Sequence, residues 1–167
     1  MRDFVFGLTV ALLAASVFAA DEQAAANVAR KYSEAIACNI QSIHDQKNQY
    51  KSIKVLQGDK VLGGLGDLFV VYWEGDVGCD GGTGTVFPNF TVVEQNGFLS
   101  VPPVVVLDYK FPELKLQRLS SITFKNGQLQ ITGIAYGPDD EQGQPAMKVA
   151  YRLKLDQNTR TFVRLRN

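Results

Sequence analysis

The chain has 167 residues, 46% of them hydrophobic and 20% charged, which is enough apolar content for one globular core and excludes a disordered chain. Its 17 basic and 17 acidic residues cancel, which removes the long-range positive field that nucleic-acid binders normally carry. With His44 as the only histidine, a multi-histidine zinc site within one chain is excluded as well.

Met1-Arg2-Asp3 precede an apolar run, Phe4 to Phe18, that reaches Ala19-Ala20 before the polar Asp21-Glu22-Gln23. This pattern predicts a secretory signal peptide over residues 1–19, with Ala19 and Val17 at the last and third-last positions before the cut, and a single domain over residues 20–167. The run falls short of the roughly 20 apolar residues a spanning helix needs, and no later segment is long or apolar enough to span a bilayer. The expected location is therefore periplasmic or secreted. In such an oxidising compartment the two cysteines, Cys38 and Cys79, read as one disulfide rather than as a metal site or a nucleophile.

From Asp21, taken as the N-cap, Ala25, Val28, Tyr32, Ala35 and Ile36 recur at helical spacing, with Arg30, Lys31 and Glu34 on the opposite face. The mature chain is thus expected to open with an amphipathic helix of roughly four turns ending near Cys38. Beyond the polar stretch Asn39 to Lys51 the pattern is that of strands. Tyr50 to Gln57 is the first, and Gly63-Gly64-Leu65-Gly66 breaks it. Leu68 to Trp73 is apolar on both faces, which predicts a central strand covered on both sides. Thr85 to Glu94 follows, with Pro88 demanding an edge position or a bulge, and Val104 to Tyr109 reads as a further strand after Pro102-Pro103.

In the last third Leu114, Leu116, Ile122 and Phe124 alternate with polar residues, Asn126-Gly127 supplies a hairpin turn, and Leu129, Ile131 and Ala135 continue the buried face on the return strand. After Pro138-Asp139-Asp140-Glu141, the odd positions from Met147 to Leu155 are apolar, and a short turn at Gln157-Asn158 leads into Thr161 to Arg166. The expected fold class is α+β: one N-terminal amphipathic helix on a curved antiparallel β-sheet of about six to eight strands, similar in outline to cystatin-like domains. One disulfide completes it.

The segment Leu129 to Leu155, with Tyr136-Gly137-Pro138-Asp139, Pro145 and an alternating basic strand, resembles the C-terminal part of small exported bacterial proteins typified by the mycobacterial LppP and LprE lipoproteins. Where that pattern has a Cys-Cys pair before the proline, this chain has Gly143-Gln144. The resemblance implies an exported β-rich domain and assigns no functional residue.

The loop Gly75 to Thr85 holds five glycines, Asp76, Asp80 and Cys79. Glycine amides can cradle an anion, but no lysine follows them and the aspartates would repel one. Glu74, Asp76 and Asp80 offer oxygen ligands without the spacing of a calcium loop. Glu74 with Asp76 could be imagined as a glycosidase pair, and His44 as a general base, yet no nucleophile elbow accompanies them. A disulfide-pinned turn whose aspartates cap amides is the favoured reading. No catalytic residue, metal site or cofactor is assigned.

One feature exceeds composition. Pro145 to Asn167 holds Lys148, Arg152, Lys154, Arg160, Arg164 and Arg166 against a single acid, Asp156. Alternation is expected to gather Lys148, Arg152, Lys154, Arg164 and Arg166 on one face, opposite a core that includes Val163 and Leu165. The function expected is a non-enzymatic exported binding module, such as an inhibitor or immunity-type protein, whose partner is a protein or an anionic component of the envelope. The alternatives are a structural or assembly accessory of the envelope, pairing through a sheet edge near Pro88 or Pro102, and a hydrolase with scattered residues.

Overall fold

The computed structural model describes residues 6–43, 48–58, 66–81, 85–96, 101–141 and 143–166, with side chains described from residue 21 onward. Helix α1 (Phe6–Ile36) is followed by β1 (Ile40–Gln41), β2 (Tyr50–Leu56), β3 (Asp67–Gly75), β4 (Phe87–Gln95) and β5 (Val104–Val106). Then come β6 (Arg118–Lys125), β7 (Gln128–Ala135), β8 (Met147–Asp156) and β9 (Thr161–Arg164). The first five strands form sheet A and the last four form sheet B, and every strand pairing is antiparallel. The expected α+β architecture, one helix on antiparallel sheet, is what the chain adopts.

The layers follow from β3. All nine of its residues are buried, because alternate side chains enter two different cores. Phe69 and Val71, with Val93, pack on Ala25 and Ala29 of α1, whose small side chains let the helix approach sheet A closely. Leu68, Val70 and Tyr72 point the other way and meet Leu119, Ile122, Leu129, Ile131 and Leu153 of sheet B. The order is therefore helix, sheet A, sheet B. Each buried Val or Leu side chain contributes about 1.5–3 kcal/mol relative to exposure. β3 is central, as its two apolar faces predict, with β1 and β2 end to end along one edge and β4 on the other.

The helix is tied to sheet A by polar contacts, and one part of its expected buried stripe is corrected. In the full chain the helix runs through Asp21, whose carboxylate accepts a hydrogen bond from Lys54 Nζ at 3.3 Å. Lys54 Nζ also donates to Asp67 at 2.9 Å, so one ammonium ties helix to sheet. Burial works to lower the Lys54 pKa, but its bonds to Asp67 and Asp21 outweigh that and hold it above its ordinary value. Finally, Ala35 faces solvent, whereas Ser33 is fully buried, its hydroxyl 2.8 Å from that of Tyr50.

Sheet B is a meander. Asn126 and Gly127 both take positive φ, 52° and 71°, as the tight turn between β6 and β7 requires. Leu114 and Leu116 precede β6 instead of belonging to it; they lie in a strap, residues 107–117, that closes one side of the space between the sheets. Phe111 of the strap stacks on Phe90 and on Phe162 at centroid distances of 5.1 and 4.3 Å, joining the two sheets through aromatic rings. Pro88 lies on the half of β4 that β5 does not reach, since β5 pairs only with Val92 to Glu94. That is the edge position its missing amide demands.

Candidate functional site

The end of β3 and the loop after it are built as a clasp. Cys38 and Cys79 form the expected disulfide, with Cα atoms 5.2 Å apart, joining the chain just after α1 to the glycine-rich loop. Backbone bonds reinforce it: Cys38 N–H donates to Asp76 O, and Asp76 N–H to Asn39 O. Gly75 has to be glycine there, because a Cβ would stand 2.5 Å from the Trp73 ring and 2.9 Å from Asn39 O.

The carboxylates of Asp76 and Glu74 are engaged within the fold. Asp76 accepts hydrogen bonds from the amides of Asp80 and Gly81 and from the Thr85 hydroxyl. Desolvation pushes its pKa up, but the Gly81 amide, the Thr85 hydroxyl and the Asp80 and Cys79 amides together hold it below the usual carboxylate value. Glu74, buried, accepts the Tyr72 hydroxyl at 2.5 Å. Burial, and then this bond to Glu74, push the Tyr72 phenol far above its ordinary pKa, so it remains the donor. Asp76 therefore organises the turn, as the capping reading expects, while Glu74 holds Tyr72 within the end of β3. His44 and residues 82–84 of the loop lie outside the described residues.

The basic strand gives a different picture from the one its numbering suggests. β8 and β9 are joined by four residues, 157–160, with Asp156 opposite Thr161. An even loop pairs odd positions with even ones, so the buried residue of β9 is Phe162, at 1% exposure, and Val163 is 48% exposed. Arg164 stands opposite Leu153 on the inner side, its guanidinium 4.7 Å from the centre of the Tyr151 ring. There it lines an open groove of about 430 Å³ with Glu113, Lys115, Met147, Val149 and Ala150. The ladder continues one step, Leu165 N–H donating to Arg152 O, so the same alternation takes Arg166 off the outer face. The expected grouping of five is thus corrected: Arg164 and Arg166 leave it.

Two other cations replace them. On the outer side of sheet B, Arg118 stands beside Ile134 and Ile134 beside Lys148. Ser121, Thr132 and Ala150 form the next row, and Thr123, Gln130 and Arg152 the one after it. Lys125 pairs with Gln128, and the pairing of Leu129 with Leu153 sets Gln128 beside Lys154. Arg118, Lys125, Lys148, Arg152 and Lys154 therefore share one face. Among the described residues Arg118, Lys125, Lys148 and Lys154 make no ion pair. The acid that belongs to this side of the strands, Asp156, ends β8 and is occupied with its turn, accepting the Asn158 amide. The Thr159 hydroxyl, followed by the Asn158 amide, holds its pKa below the usual carboxylate value. No helix among the described residues is long and apolar enough to cross a membrane. Comparison with protein-family models, with curated proteins and with solved structures finds no match to this chain.

Proposed function

We propose that this is an exported, non-enzymatic binding protein that docks an anionic partner on the outer face of sheet B. The observation that carries the reading is the grouping of five cations on one face of four strands, in a chain whose total charge is zero. The five stand on β6 and β8 with β7 between them, so their fields add over one face, and an anion lying along it meets them together. The sequence pattern of residues 1–19 and the Cys38–Cys79 disulfide support export. Intact mass of secreted material should correspond to a chain beginning at Ala20, and export of a chain still carrying Met1 would contradict it.

The face itself is tested by retention on a carboxylate matrix at a pH above the isoelectric point of about 6.6. A protein with evenly spread charge flows through such a matrix under these conditions. Wild type should be retained at low ionic strength and elute as salt rises, whereas Arg152→Glu with Lys154→Glu should flow through. Flow-through of wild type, or retention of the charge-reversed protein, would contradict the reading.

A further inference from the structure

We infer that the ligand of this face is an anionic polysaccharide, an extended chain of hydroxylated sugars carrying carboxylates. This rests on the docking reading above and adds the chemistry of the ligand. Between the two end rows the face is mostly uncharged and polar, with Ala150 and Arg152 on its β8 side. Its polar side chains are Ser121, Thr123, Gln130 and Thr132, with the Ser121 and Thr132 hydroxyls 2.8 Å apart, and Gln128 lies between Lys125 and Lys154 at one end. Each of these hydroxyl and amide side chains offers both a donor and an acceptor, which is what sugar hydroxyls require.

The other polyanions fit less well. Protein partners are held by aromatic and apolar anchors near the centre of an interface, and single-stranded nucleic acids by stacking on aromatic rings. None of the outward residues of β6 to β9 is aromatic; Tyr136, exposed, follows β7 at the Arg118–Lys148 end. Of the apolar members of the face, Ile134 lies in one end row, Val163 and Leu165 lie along the β9 side, and only the small Ala150 stands beside the central polar groups. The cations, by contrast, frame the polar centre. Arg118 and Lys148 are two strands apart, as are Lys125 and Lys154, which is roughly 10 Å in each case. The two rows are separated by the six residues from Lys148 to Lys154, roughly 20 Å along β8. An extended chain lying along the strands meets a positive pair at each end, Arg152 partway, and hydroxyl or amide groups between. The surface is open, which suits a polymer rather than an enclosed small molecule.

The test compares polygalacturonate, polyglutamate of matched charge and neutral dextran as probes, by titration at low ionic strength. Wild type should bind polygalacturonate at least tenfold tighter than polyglutamate and should not bind dextran. The uncharged double change Gln130→Ala and Thr132→Ala, verified as folded by its thermal melt, should lose most of that preference while keeping its polyglutamate affinity. Polyglutamate binding as tightly as polygalacturonate, or no effect of the double change, would overturn the polysaccharide assignment and leave the charged docking face standing. If Arg152→Glu with Lys154→Glu binds both polyanions like wild type, or wild type binds neither, the docking reading itself fails.

Discussion

Asp76 shows how one residue can decide the behaviour of a whole loop. Its carboxylate collects two amides and a hydroxyl at the point where β3 gives way to the glycine-rich turn. Its folded pKa lies below the ordinary 3.8, so the stability it confers is fully present above that value and is lost as pH falls through the folded one. Asp140 acts in the same direction, because the Gly137 and Ala146 amides hold its pKa down. We expect Asp76→Asn to be less stable than wild type at neutral pH and to lose less on acidification, as read by circular dichroism melts across an acid series. An unchanged acid-side slope would mean that the loop is held without the carboxylate. Much of this was legible beforehand, since glycines and aspartates around a disulfide-forming cysteine signal a capped turn. The buried Tyr72–Glu74 bond was not legible, because two residues of one strand two positions apart show only that they share a face.

At the level of elements, hairpin register decides which residues reach the core. Phe162 and Val163 are neighbours with opposite fates. Phe162→Ala should cost about 3–5 kcal/mol, since it opens a cavity beneath the stacked Phe111 ring, whereas Val163→Ala should stay within about 0.5 kcal/mol. Urea unfolding of both variants checks the register directly, and equal losses would contradict it. The clasp is a second test. Replacing both Cys38 and Cys79 with serine frees a loop of 41 residues and should cost about 4 kcal/mol in the same measurement. A loss within experimental error would show that the backbone bonds of Asp76 suffice.

Legibility was uneven at this scale for physical reasons. The burial of β3 on both faces and the turn at Asn126-Gly127 follow from local pattern. The placement of β9 requires the parity of its loop, which odd-numbered apolar positions do not reveal. Lys125 could have been read as the next outward residue after Thr123. Arg118 could not, because a bulge between Leu119 and Ser121 shifts the alternation by one. The only local hint of that bulge is Gly133, opposite Leu119 within an otherwise regular strand.

The whole molecule separates its tasks by layer. The helix and the disulfide clasp lie on the sheet A side, and sheet B buries its inner face while turning five cations outward. Zero net charge with one basic face makes an oriented dipole, and such fields raise association rates in a salt-dependent way. The most direct measurement is an amide NMR titration of uniformly labelled protein with polygalacturonate at low ionic strength. The account predicts that the largest shift changes fall on Lys125, Gln130, Thr132, Lys148, Arg152 and Lys154, and that they fade as salt is added. Largest changes at Arg30 and Lys31 of the helix, or at Lys115 and Arg164 in the groove, would contradict it.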